Sequence, residues 1–479
     1  MTESRPTIWG GDLFLTLDRT SATPVHTQLE TSIRDAIRSG RLKGDSVIPA
    51  SRRLAQDLGL SRGVVVEAYQ QLTAEGYLLS QPGGYTRVAS GVSSVIPAGT
   101  APRQAAPSTP EKPRIDFRYG RPDVTQFPRG AWLRSLRRVL TATPHDRLNY
   151  PDGQGAIELR TALSEYLNRV RGTWATPDNV VACNGFAQAI SLIMPVLFAH
   201  GVRRLAIEDP SDIDARRVAE AAGMDVVGIP VDEQGIDVAA LDASDAGAVL
   251  VTSAHQFPTG CVLSPERRTA LLAWAKRQDA VIIEDDYDAE YRYDQSPVGA
   301  LHGLAPDHVI YAGTASKTLA PALRLGWLVA PSRLVDDIAA RKFDADRGSP
   351  VIDQLAFADF LVAGDFDRHL RKMRPIYRRR RDVLLACMAE NLPELDPVGI
   401  AAGLHVFTWL PADLPESHVI ASAHDRGMTI GGIAGYQHSA SPVGGLIFGY
   451  GKLSESAIRT GVIILRRSFD DIRGKAGRV

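Results

Sequence analysis

Apolar residues follow two different rhythms along the chain. Near the N-terminus they recur at helical spacing. In PVHTQLETSIRDAIRSGRL, Leu29, Ile33, Ile37 and Leu42 share one face, and Gly40 is placed to end the helix. PASRRLAQDLGL predicts a short second helix starting at Ser51 as N-cap, with Leu54, Ala55 and Leu58 inward and Gly59 as the turn. Ser61 then caps SRGVVVEAYQQLTAEGY, whose Val65, Ala68, Tyr69 and Leu72 lie on one side. Helix, short helix, glycine turn and capped helix make helix-turn-helix grammar. YLLSQPGGYTRV predicts a wing: two short β runs around Pro-Gly-Gly, with Gly83 and Gly84 forming the turn.

The second rhythm begins after a break. From Ala89 to Pro113 the chain is rich in Ala, Pro, Ser and Gly and has no periodicity, which predicts a linker. Beyond it, helical patterns (ALSEYLNRV, RRTALLAWAKRQ) alternate with short apolar runs (RRLAIED, DVVGIPV, AVLVTSA, AVIIED, HVIYAG, LGWLVAP). That alternation predicts a mostly parallel sheet with helices on both faces. A long helical segment and an α+β tail (GLHVFTWL, GGLIFGYG) follow. The expected division is a winged helix-turn-helix over 1–88, a linker over 89–113, a large α/β domain over 114–370 and a small α+β domain over 371–479.

Composition adds bounds. A chain of 479 residues is too long for one core. With 44% hydrophobic and 23% charged residues it fits a soluble globular class. A net charge of -1 gives no global attraction to nucleic acid, so a DNA surface has to be local. The segment Arg34 to Arg62 supplies a candidate, with seven basic residues against three acids. Arg52, Arg53, Ser61 and Arg62 fall at the starts of the second and third helices, where such folds meet phosphates and base edges. Ser51, Arg52, Arg53, Ser61, Arg62, Gly83 and Gly84 are therefore the candidate DNA-contacting set. The run Arg378 to Arg381 reads first as a salt-bridged helix face and second as a further DNA track. Three scattered cysteines and the absence of a secretion signal fit a cytoplasmic protein. No apolar run reaches the roughly 18 to 20 residues of a membrane helix.

Chemistry gathers at the ends of the predicted strands, where ligands of open α/β sheets bind. AVIIED leads into Asp285, Asp286 and Tyr287; HVIYAG leads into Thr314, Ser316 and Lys317; AVLVTSA leads into His255, Gln256 and Phe257. CNGFAQAI is a glycine turn opening a helix, suited to phosphate through backbone N–H groups. A lysine to form an imine, a carboxylate to hold a pyridinium proton, hydroxyls, an arginine and a phosphate nest are the parts that pyridoxal phosphate requires.

NGFAQAI, HQFPTG, EDDYDAEYRY and TASKTLAPALRLGW, in this order, resemble the fold-type I aminotransferases. Together with PASRRLAQDLGLSRGVVVEAYQQLTAEGYLLSQPGG, the whole chain resembles the MocR branch of the GntR superfamily. The resemblance implies a pyridoxal 5'-phosphate cofactor, with Lys317 as its attachment point. It implies Asp285 at the pyridine nitrogen and Tyr287 at the phenolic oxygen. Thr314, Ser316 and Arg324, with the backbone of Gly185, Phe186 and Ala187, would form the phosphate cup, and Phe257 would lie beside the ring. It further implies a homodimeric transcription regulator. Its partners would be a double-stranded DNA operator and a small-molecule effector: pyridoxal phosphate itself, an amine or an amino acid. Vitamin B6 genes and amino-acid or amine genes are the expected targets. An active aminotransferase carrying a helix-turn-helix head is the alternative.

Three departures from the branch's pattern are visible. The nest reads Gly185-Phe186-Ala187-Gln188 in place of Gly-Ala-Gln-Gln. Pro210-Ser211-Asp212 stands where Pro-Gly-Tyr is usual, which removes an aromatic ring and adds a carboxylate. The late strand GGLIFGYG carries Ile447 near the place where aminotransferases keep an arginine for the substrate carboxylate.

Overall fold

Leu29, Ile33, Leu54, Ala55, Val65, Ala68, Tyr69 and Leu72 are all buried in one small core, so the helical spacing near the N-terminus has the packing it calls for. The structure is a computed structural model that describes residues 7–9, 13–15, 17–80, 85–90, 114–293, 298–439 and 443–476. The chain divides into two units, one up to Lys112 and one from Pro113.

In the first unit the helices run over Val25–Arg38, Ser51–Leu58 and Arg62–Ala74. Gly59 ends the second in the left-handed region at φ 61°, which a residue without Cβ adopts freely. Ser61 caps the third, its Oγ accepting from the Val64 amide at 3.4 Å. The expected cap at Ser51 is not formed. Ser51 is the first helical residue, Ala50 precedes the helix, and no side chain caps it. The Tyr69 hydroxyl donates to the Pro49 carbonyl at 2.9 Å and ties the third helix to the entry of the second. Arg34 grips Glu75 with two guanidinium nitrogens, so its charge holds two helices together. Strands Leu78–Ser80 and Thr86–Val88 pair antiparallel as the wing. Gly83 and Gly84 lie outside the described residues, as does most of the expected linker.

In the second unit eight strands form one sheet. Their order is Val180–Cys183, Gly326–Val329, Val309–Thr314, Val281–Asp286, Ala248–Val251, Arg204–Asp209, Asp225–Asp232, Gly235–Ile236. Gly326–Val329 and the short last strand run against their neighbours; the others are parallel. All six expected apolar runs are strands. Val180–Cys183 is a seventh that the pattern did not reveal, because VVAC is short and leads straight into the nest. These strands read as unbroken apolar runs because both faces are covered. Val281 and Ile283 pack into one core with the helices Phe186–Ala199 and Ser332–Asp346, while Ile282 packs into another with the helix Pro265–Gln278.

The smaller sheet is antiparallel, in the order Pro397–Val398, His405–Trp409, Gly445–Gly449, Gly431–Gly432. The expected division at 370/371 falls inside a single helix, Asp365–Asn391. The start of the unit also belongs with its end: Ile115–Asp116 pairs with Met428–Thr429, and the Gly449 amide donates to the Phe117 carbonyl at 2.7 Å. The three cysteines are buried and free. No described helix is long and apolar enough to cross a membrane.

Candidate functional site

Strand direction brings the candidate residues together. Val281–Asp286 and Val309–Thr314 are parallel neighbours, with Asp285 opposite Ala312 in register, so their C-terminal ends deliver Asp285 and the Thr314–Lys317 turn to the same edge. A cavity of about 260 Å³ opens there, lined among others by Asp285, Tyr287, Lys317, Arg324, Thr314, Ser316, Phe186, Ala187 and Phe257. Of the expected cofactor-binding residues only Gly185 is absent from that lining, and it stands directly behind it, next to Arg324.

Lys317 is half-buried, and its Nζ donates to the Gly120 carbonyl at 3.3 Å and lies 5.3 Å from the Tyr119 ring centre. Burial lowers its pKa; Asp285, Asp288 and Asp212 oppose that, and Arg324 adds to it. A lysine held this way keeps more of its amine unprotonated and nucleophilic.

Asp285 and Asp286 each have one enclosed oxygen without a partner, and of the two only Asp285 lines the cavity. Glu284 accepts from the amides of Leu301 and His302 and from the Ser253 hydroxyl. Asp286 takes Arg171 Nε at 2.6 Å and the Tyr311 hydroxyl at 2.7 Å, and Asp288 faces His255 Nδ1 at 3.2 Å. None of the three is solvated. Asp285 Oδ1 is enclosed and has no partner. Burial pushes its carboxyl well above the ordinary range, Asp286 and Asp212 push the same way, and Lys317 pulls it back. An enclosed carboxylate without a donor calls for a protonated nitrogen.

The end of the cavity expected to hold a phosphate is built from backbone. Gly185 sits at φ 85°, a conformation that favours glycine, and a Cβ there would lie a tight 3.2 Å from the Arg324 guanidinium. Phe186 and Ala187 open the helix, where the first N–H groups have no intrahelical acceptor. Gln188 closes the turn by accepting from the Asn184 amide at 2.7 Å. The Phe and Ala of this nest therefore leave its donors in place. Arg324 is itself left-handed, at φ 50°, and its guanidinium donates to the Asn184 carbonyl. Non-glycine residues pay about 1 kcal/mol or more for that conformation and collect at functional sites. Thr314 Oγ1 accepts from the Ser316 amide at 3.1 Å, which fixes the turn before Lys317.

Aromatic rings form one wall. Phe257 lies 4.4 Å from Tyr119 between ring centres, and the Tyr287 hydroxyl donates to the His255 carbonyl at 2.8 Å. Ile447 is buried with Phe257, Tyr287, Phe407 and Ile433. Asp212, the carboxylate that stands in place of the tyrosine of Pro-Gly-Tyr, lines the cavity, and its Oδ1 caps the helix Ile213–Ala221.

Tyr119, Gly120, Glu208 and Thr252 line the cavity without having been expected. Glu208 stands one residue before the end of the strand Arg204–Asp209, so attention to that strand end would have found it too. Tyr119 and Gly120 come from a segment without periodicity, far from Lys317 in sequence, and only the fold joins them.

In the first unit, Arg52, Arg53, Ser61 and Arg62 are exposed at the starts of the second and third helices, and Ser51 is half-buried. Of the other basic residues counted there, Arg34 is committed to Glu75 and Arg38 donates to the Tyr77 hydroxyl. In the second unit Arg380 pairs with Asp123 at 2.7 Å, which favours the salt-bridged reading of the Arg378 to Arg381 run.

Comparison with known proteins decides the family. The model for aminotransferases of class I and II matches residues 116–424, and that for the bacterial regulatory proteins of the gntR family matches residues 26–88. The HTH-type pyridoxine biosynthesis transcriptional regulator PdxR of Corynebacterium glutamicum is 32% identical over 94% of this chain and 96% of its own. The chain belongs to the GntR-type regulators that carry an aminotransferase-like domain. The probable rhizopine catabolism regulatory protein MocR of Rhizobium meliloti is another such relative, 32% identical over 95% of this chain and 96% of its own. Among solved structures, the α-aminoadipate aminotransferase LysN of Thermus thermophilus, complexed with N-(5'-phosphopyridoxyl)-L-leucine, matches with a TM-score of 0.69 at 23% identity. It covers 75% of this chain and 93% of its own. This GntR-type regulator therefore has the aminotransferase fold behind a helix-turn-helix head.

Proposed function

We propose that this regulator binds pyridoxal phosphate in the cavity at Lys317 and reads it, alone or with an amine or amino acid, into a change in how two heads hold an operator. The observation that carries the reading is Asp285: an enclosed carboxylate oxygen without a donor, in the same cavity as Lys317 and Arg324. A pyridinium N–H is the donor that would satisfy it. Arg324, Thr314, Ser316 and the amides at Phe186 and Ala187 would hold the phosphate, Lys317 the aldehyde carbon, and Tyr287 the phenolic oxygen. Pyridoxal phosphate supplies an aldehyde that condenses reversibly with primary amines, which makes its site responsive to small amines. What the chain's own residues contribute is placement. The nest fixes one end of the ligand, Asp285 the other, and the Phe257–Tyr287 wall keeps water from one face.

Arg52, Arg53 and Arg62 would meet operator phosphates and bases, with Ser51 and Ser61 at the helix starts and Gly83 and Gly84 at the tip of the wing. A homodimer would present two heads, and a cavity-dependent change in their spacing would couple ligand to DNA. Vitamin B6 genes, in keeping with the name of the pyridoxine biosynthesis regulator relative, or amine and amino-acid genes are the proposed targets. The test is direct. The full chain, given pyridoxal phosphate, should develop a visible absorbance that borohydride fixes onto the Lys317 peptide. A chain that stays colourless, or a label on another lysine, contradicts the reading.

A further inference from the structure

Charge in the cavity is unevenly supplied. Lys317 and Arg324 are the only cations among its described lining residues, against the carboxyl groups of Glu208, Asp212 and Asp285. Arg324 is committed to the Asn184 carbonyl and the phosphate nest. Lys317 would be released when an amine takes its place on the aldehyde carbon, but its charge is already opposed by Asp285, Asp288 and Asp212. Among the described lining residues no further cation remains for a ligand carboxylate. The late strand offers none either, since Ile447 is buried in an apolar cluster with Phe257 and Tyr287, both of which line the cavity.

With Asp285 given to the cofactor's ring nitrogen and Glu208 held by Thr252 and Gln256, Asp212 is the remaining acid of the cavity. Its Oδ1 accepts from the Asp214 amide at 2.8 Å, and it is exposed at the cavity mouth. It has no ion-pair partner among the described residues, and the nearby Arg217 pairs with Asp214 instead. Yet it is close enough to Lys317 and Asp285 to bias the charge of each. A bound phosphate dianion would add further negative charge to this space. A second ligand entering it meets a field that attracts cations and repels carboxylates.

We propose that the effector pocket of this regulator selects an amine that carries a second cationic group and no carboxylate, a diamine in the simplest case, with the second cation placed on Asp212. This rests on the cofactor reading above. It separates the chain from a sensor of α- or ω-amino acids, for which the cavity has no counter-charge.

The test is calorimetric titration of the full-length, pyridoxal phosphate-loaded protein with three probes of one carbon length: putrescine, butylamine and γ-aminobutyrate. Putrescine should bind about three- to fivefold tighter than butylamine, the worth of one solvent-exposed ion pair. It should bind roughly tenfold tighter than γ-aminobutyrate, which is repelled where putrescine is held. Asp212→Asn keeps the helix cap, since asparagine caps as well as aspartate. It should bring putrescine and butylamine to within about twofold of each other. Indifference among the probes, a preference for γ-aminobutyrate, or an Asp212→Asn protein that keeps the wild-type ratio overturns the proposal while leaving cofactor binding intact. A chain that takes up no pyridoxal phosphate overturns the parent reading, and this one with it.

Discussion

Glu208 is buried and Asp285 half-buried with one oxygen enclosed; both line the same cavity, but they differ in what satisfies them. Glu208 accepts from the Thr252 amide and hydroxyl and from Gln256, so its oxygen is provided for without a ligand. Asp285 has one oxygen that no residue serves. Asp285→Asn should therefore weaken pyridoxal phosphate binding by roughly tenfold or more, because an amide cannot supply the charge a pyridinium requires. Equilibrium binding followed by absorbance measures it, and an unchanged Kd would remove Asp285 from the site. Glu208 makes a different prediction. Burial raises its pKa from 4.5 to about 7. The folded state thus holds this proton more tightly than the unfolded chain does. Its contribution is complete below about pH 4.5 and is lost as pH rises through about 7, on the order of 3 kcal/mol in all. Glu208→Gln should flatten the fall in melting temperature across that window. A slope identical to wild type would show that Glu208 titrates normally.

At the scale of elements, how much the sequence disclosed depended on how local the cause was. Lys317, Asp285, Tyr287 and the nest at Gly185 were legible because each sits where an apolar run ends, and strand ends are where such sheets bind ligands. Tyr119 and Gly120 were not, since their place over Lys317 is set by the pairing of Ile115–Asp116 with Met428–Thr429, a contact between distant segments. The 370/371 division failed for a related reason: an amphipathic pattern marks a helix, but not which layer each end of it serves. Ser51 was misread because a serine before an apolar run is a common cap, whereas here the helix has already begun. The cap at Ser61 does form and leads directly into Arg62. Ser61→Ala should cost about 1 kcal/mol of head stability by thermal melting. Arg62→Ala should leave melting unchanged but weaken operator binding and lower its salt dependence by about one counterion. If Arg62→Ala leaves both affinity and salt slope as they were, the third helix does not meet DNA through its start.

On the scale of the molecule, the two units carry separate halves of a switch. The first has exposed arginines at two helix starts and a hairpin wing, a local basic surface on a chain whose net charge is -1. The second has an aminotransferase fold whose strand ends converge on Lys317, and among the described lining residues of its cavity Lys317 and Arg324 are the only cations. On the proposed reading, that turns a scaffold suited to amino-acid chemistry toward sensing, with Asp212 setting what is sensed. The central claim is that occupancy at Lys317 is read at the DNA. The measurement that tests it most directly is a footprint on the DNA upstream of the protein's own gene, with and without pyridoxal phosphate, for wild type and for Lys317→Ala. The account predicts a footprint whose extent or spacing changes with the cofactor in the wild type and stays fixed in the variant. A wild-type footprint indifferent to pyridoxal phosphate and to the diamine probe, and the same as that of Lys317→Ala, would contradict it.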